Sequence, residues 1–223
     1  MKTLLMGIAT AAVVAFAATG VQASTTFNFG GYGGLATSYF FSEDGIGLTA
    51  TPGQFESSTT GSETVSTPGA ARIGQYDQGL GVSNPWYFDQ HEVDGLGNND
   101  VVIFDFDQVV KLETIVFSYF DDEVHWFWGS PTPNDEFSGF LDTDGDGVLN
   151  LVGVNFDGNP FNVGGIAGEI FGIGAWGNND DFKIKSMTVS AVPLPAALPL
   201  YGAGLAVLGF VGWRKRRKAA ALA

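Results

Sequence analysis

The sequence predicts an all-β, jelly-roll-like sandwich ectodomain flanked by an N-terminal signal peptide and a C-terminal transmembrane helix. Three observations lead there. Short β-branched and aromatic runs recur between turns rich in Gly, Asp and Asn, and nothing between the two ends reads as a helix. Apolar stretches stand at both ends of the chain and nowhere else. All 24 acidic residues lie between those stretches, so the middle is built for water. Many short strands with such turns suit a two-layer antiparallel architecture.

In chain order, residues 25–29 alternate and place Phe27 and Phe29 on one face. Residues 30–34 form a glycine-rich turn. Residues 38–41 and 46–51 read as strands separated by Glu43, Asp44 and Gly45, and the Ser/Thr/Gly-rich stretch 51–67 reads as an exposed loop. Residues 101–106 and 114–120 carry the strongest strand signals. Further strands are expected at 124–128, 148–156, 169–175 and 182–189. In the last, Phe182 and Ile184 share a parity that Met187 and Val189 do not, which predicts a bulge near Ser186.

At the N-terminus, Lys2, an apolar run over 4–18 and Val21-Gln22-Ala23 form a secretory pattern, so residues 1–23 are expected to be removed by signal peptidase. The domain is then 24–191. It holds four basic residues, Arg72, Lys111, Lys183 and Lys185, so its formal charge is 4 − 24 = −20, against −14 for the whole chain. Such a surface repels phosphate backbones and excludes nucleic acid as a partner. Cysteine is absent, so an exported domain here has no disulfide staple, and a bound metal is an alternative one.

At the C-terminus, Val192, Pro193, Leu194, Pro195 and Ala196 precede an uncharged run over 196–213 and five cations at 214–218. In helical form that run reaches about 27 Å, near the ~30 Å hydrocarbon core of a bilayer, and the cations should stay cytoplasmic. The motif, span and basic stop of 192–218 resemble the VPLPA variant of the PEP-CTERM sorting signal. That resemblance implies a Gram-negative host and an exosortase that processes the chain at or near the motif. It also implies exopolysaccharide in the surroundings. The protein would cross the inner membrane, stay there transiently as an anchored precursor, and end at the cell surface or outside the cell. A Gram-positive wall signal would need Thr and Gly after Leu194-Pro195, where Ala196 and Ala197 stand. A GPI signal would end in its apolar tail. Gly79–Val82, the run 91–95, the run 100–104 and the pair of runs 171–175 and 181–184 resemble recurring segments of β-sandwich passenger domains of such proteins. This implies a fold and no activity.

Asp142, Asp144 and Asp146 with Gly147 and Asn150 form the front half of an EF-hand-type loop. Carboxylates at positions 1, 3 and 5 and glycine at 6 fold hard oxygens around one Ca²⁺, with Leu149 as the apolar member. Gly153 stands where the bidentate Glu would be. The loop also resembles the Asp-rich turns of thrombospondin type 3 repeats. Weak calcium binding is expected, on the order of 10⁻⁴ to 10⁻³ M, against the plain alternative of a solvated hairpin turn. A second metal cluster is suggested by Glu92, Asp94, Asp121 and Asp181, with Asp100 nearby in sequence, set against acidic loops on a −20 surface. Trp126 and Trp128 suit core. Trp86, Tyr87 and Trp176 fall in loops and are the better candidates for stacking on sugar rings.

No catalytic constellation stands out. His91 and His125 lack metal-ligand spacing, and there is no Gly-x-Ser-x-Gly elbow. The G-x-G-x-x-G of Gly172, Gly174 and Gly177 leads toward a strand where a dinucleotide site needs a helix. The expectation is a non-enzymatic, Ca²⁺-stabilised surface or matrix protein. A glycan-binding module is the alternative and a secreted hydrolase the third reading.

Overall fold

The computed structural model describes residues 23–56, 63–84, 91–95, 97–120, 135–177 and 180–192, together with 202, 204–210 and 213. The chain divides into two units, Gln22–Val192 and a second made of Met1–Val21 with Pro193–Ala223. In the second unit, residues 202, 204–210 and 213 are helical and exposed. Among the described residues no helix is long and apolar enough to cross a membrane. The expected span 196–213 is described only in part. Residues 1–22, 193–196 and 214–218 lie outside the described residues.

Among the described residues the larger unit is all-β and antiparallel, as the turn-rich patterning predicts. Its strands are β1 (Ser24–Asn28), β2 (Gly34–Ala36), β3 (Tyr39–Glu43), β4 (Ile46–Phe55), β5 (Arg72–Tyr76) and β6 (Gly79–Ser83). They continue with β7 (Val93–Asp94), β8 (Asn99–Ser118), β9 (Phe137–Leu141), β10 (Asn150–Phe156), β11 (Phe161–Ala175) and β12 (Asp181–Ala191). The principal order is β10-β9-β11-β8-β12-β6-β5-β2. Beside it, β1 and β7 pair with β12, and β3 joins through β4 to β8.

The 20-residue β8 organises the fold. Its first half pairs with β4 (Leu48↔Phe106 to Phe55↔Asn99) and its second half with β12 (Ser118↔Lys183 to Val110↔Ala191). β11 follows it along both halves. Sequence patterning splits this strand into 101–106 and 114–120, because polar residues, among them Asp107, Gln108 and Lys111, break the apolar run. Asp107 and Gln108 mark a register shift in the β8–β11 ladder, and the strand continues through it.

The first half of β8 is buried on both faces. Phe104 and Phe106 enter the main core, where Phe29, just beyond β1, stacks on Phe104 at 5.4 Å and Phe27 of β1 meets Phe106 edge-on at 5.9 Å. Val101 and Ile103 point the other way, into a smaller core with Phe55, Phe140 and Leu149. Burial on both faces accounts for the unbroken Val-Val-Ile-Phe run.

The loop expected over 51–67 is corrected in part. Residues 51–55 belong to β4, and residues 63–66 form a bridge. Gln54 and Ser66 exchange backbone bonds of 2.8 Å, and Leu151 N–H donates to the Glu63 carbonyl at 3.2 Å. The path β4-β8-β11-β9-β10 thereby closes into a ring around the smaller core. Pro52 fits because it faces the same side as Gln54, beyond the last β3 pair at Ala50, where no ladder bond is required. β5, β6 and β9 also form where sequence patterning marks no strand, and β11 begins at Phe161, earlier than expected. The bulge near Ser186 is present, between the pairs at Ile184 and Ser186. The expected strand 124–128, with Trp126 and Trp128, lies outside the described residues.

Candidate metal centre

The turn between β9 and β10 is held from both sides. Asp142 N–H donates to the Ile170 carbonyl of β11 at 3.2 Å, and Leu149, 4% exposed, seats the far end in the smaller core. Between these anchors the backbone wraps around Asp142. Its Oδ1 accepts from Gly145 N–H at 2.8 Å and Asp144 N–H at 3.3 Å, and its Oδ2 from Gly147 N–H at 2.9 Å. Asp146 Oδ1 accepts from Val148 N–H at 2.8 Å. Gly145 and Gly147 have φ of 78° and 84°, the left-handed conformation that the spacing of these glycines implies.

One oxygen each from Asp142, Asp144 and Asp146 lies within 4.8 Å of the others. Oxygens at about 2.3–2.6 Å from one Ca²⁺ are separated by no more than about 5 Å, so the three fit a single hard cation. Desolvation is the largest single influence and pushes the Asp142 carboxyl up, but the backbone N–H groups of Gly147, Gly145, Asp144 and Asp146 together outweigh it and hold the group below its ordinary value. Asn150 heads β10, and its amide nitrogen donates to the Val148 carbonyl at 3.2 Å.

The loop forms one wall of a cleft of about 590 Å³, whose other wall is Val109 and the β11 residues Ala167, Gly168 and Glu169. Glu169 is an exposed carboxylate that sequence reasoning missed as a site residue. It lies far along the chain, and its only local signal is the start of an apolar strand.

The second proposed cluster is arranged differently. Glu92 pairs with Lys183 at 3.3 Å, and Lys183 also donates to the His91 carbonyl at 2.8 Å. Asp94 and Asp181 are opposite each other in the β7–β12 register, and Asp135 accepts from Asp181 N–H at 3.3 Å. Asp121 lies outside the described residues. Asp100 is buried on β8 and accepts from the side chains of Gln54 and Asn84. Asp180, 4% exposed, receives the N–H groups of Gly177, Glu136 and Trp176, yet burial raises its carboxyl above the ordinary value.

Of the aromatic candidates, Trp86 and Tyr87 lie outside the described residues. Trp176 is half-buried. Its ring stacks on Phe55 at 5.8 Å, and its carbonyl accepts from Asn99 at 2.9 Å, so it packs against the smaller core instead of standing free in a loop. The glycine-rich run at 172–177 lies mostly inside β11, and the next element among the described residues is the strand β12, where a dinucleotide site needs a helix.

Fold and loop together define an acidic, cysteine-free, all-β domain with an exposed aspartate turn suited to a hard divalent cation. No protein-family model matches the chain, and no curated protein or solved structure matches it.

Proposed function

We propose that this chain is an exported, exosortase-sorted protein of the bacterial cell surface or extracellular matrix. Its passenger is a jelly-roll-like β-sandwich stabilised by Ca²⁺. The observation that carries this reading is the order of three signals at 192–218: motif, apolar span and basic stop. The secretory pattern at 1–23 and a domain charge of −20 support it, since both suit export away from anionic membranes. In this reading the C-terminal segment is a temporary handle that parts from the domain near Val192. Mass spectrometry of the mature protein from its native host tests it. A C-terminus within or next to residues 192–196 is expected, and an intact chain ending at Ala223 would overturn it.

The cleft beside the aspartate turn favours a second reading, Ca²⁺-dependent glycan binding. Without the usual bidentate Glu, an ion held by Asp142, Asp144 and Asp146 would be open to sugar hydroxyls, and the cleft would give them room. Retention of the chain on exopolysaccharide in millimolar Ca²⁺, lost in EDTA, is the expected result. No retention in either condition removes this reading and leaves the first intact.

A further inference from the structure

A separate apolar cavity of about 130 Å³ lies among β8, β9, β10 and β11. Its floor is main core: Leu112, Ile115, Phe137 and Phe171 are each no more than 3% exposed. Its upper walls are Phe156 and Phe161, half-buried and 5.3 Å apart. Val152 and Ile166 stand at its rim, 47% and 43% exposed, so the cavity has a route to solvent. Protein interiors leave few voids larger than a water molecule, and a void this size with carbon walls gives water too few partners. Cavities of about 150 Å³ lined by Leu, Ile and Phe stay dry and accept benzene.

We propose that this cavity is a binding site for an uncharged hydrocarbon group of about six carbons, entering between Val152 and Ile166. Size sets the length and charge sets the head group. Leu141 is a shared wall between this cavity and the cleft that holds Asp142 and Glu169, and the domain carries a net −20. A carboxylate head at the rim meets repulsion that a neutral head does not. The site is independent of calcium and of sorting, so it stands or falls apart from the function proposed above.

Gly139 of β9 provides the means to close the site. A Cβ there would meet Phe156 at 3.3 Å and Val152 at 3.5 Å, so a larger side chain grows into the cavity. Titration calorimetry of the full chain with benzene, 1-hexanol and hexanoate, compared with Gly139→Val, tests the proposal. Partition into any lipid or detergent is common to both proteins, so their difference is the readout. The expected result is saturable binding of benzene and hexanol by the parent chain, about tenfold weaker binding of hexanoate, and loss of all three in Gly139→Val. Should Gly139→Val not fold, Val152→Trp alters an exposed rim residue and is expected to block the same binding. Absence of binding in the parent chain overturns the site, as does undiminished binding in whichever variants fold. Hexanoate binding equal to hexanol overturns the preference for a neutral ligand.

Discussion

The aspartate turn at 142–147 and the acidic end of the domain around β7 and β12 use the same side chains under opposite conditions. In the turn, Asp144 and Asp146 are exposed and Asp142 half-buried, and backbone N–H groups hold the carboxylates of Asp142 and Asp146 in place. At the other end Glu92, Asp135 and Asp180 are each no more than 7% exposed. There Lys183, with Nζ 5.5 Å from the Tyr119 ring centre, answers Glu92, and backbone N–H groups answer Asp180 and Asp135. A buried carboxylate needs internal partners to exist at all, so its oxygens are committed to the fold. Exposed and converging carboxylates are open to a cation from outside. The first arrangement is a candidate site, whereas Glu92, Asp135 and Asp180 are engaged within the fold.

The comparison breaks most visibly at Lys183. Replacing it in Lys183→Met leaves Glu92 buried without its ion-pair partner, and a loss of about 3–5 kcal/mol is expected in urea unfolding. The double variant Lys183→Met/Glu92→Leu should recover most of it, because an apolar pair needs no compensation. A single-variant loss below about 1 kcal/mol would place this pair with weak surface bridges.

The proposed calcium site is the turn, so the effect of the ion is expected there. Ca²⁺ at about 10–100 times its dissociation constant should stabilise the domain by about 1.4–2.7 kcal/mol, several degrees in melting temperature over EDTA. Asp144→Ala should erase that difference while leaving the EDTA melting temperature nearly unchanged, since Asp144 is exposed. Equal melting curves with and without Ca²⁺ in the parent chain would leave the turn a solvated hairpin.

The smallest expected effect is on pH dependence, and its sign differs between the two regions. Asp180 holds its proton more tightly in the folded chain, so its contribution is full below its ordinary 3.8 and is lost as pH rises through the raised value. Asp142 behaves in reverse: its contribution is present above 3.8 and is lost as pH falls through its lowered value. Asp180→Asn should therefore flatten the stability profile just above 3.8, and Asp142→Asn should flatten it below. Unfolding free energies at closely spaced pH values check both, and the same slope change in the two variants would contradict them.

Much of this was readable along the chain. Alternation marks Phe27 and Phe29 as one face, and both are buried. The parity switch near Ser186 marks a bulge that forms, and the spacing of Asp142, Asp144, Asp146 and Gly147 marks the turn whose oxygens converge. These signals are local: side-chain period and turn chemistry operate over a few residues. Other features had no such signal. Glu92 and Lys183 are 91 positions apart, and nothing near either one names the other. Residues 63–66 look like loop and become a bridge only because the ends of β4 and β10 lie on either side of them. Trp176 looks like a loop aromatic until Phe55 comes under it.

The sequence by itself determined the all-β class, the acidic charge of the domain and the geometry of the aspartate turn, because each follows from neighbours in the chain. Only the tertiary structure decided which carboxylates are committed to the fold, that Glu169 shares a cleft with the turn, and that carbon walls line a cavity sharing Leu141 with that cleft. Those depend on which distant strands pair through β8 and β11, and strand pairing is settled by packing the whole core at once.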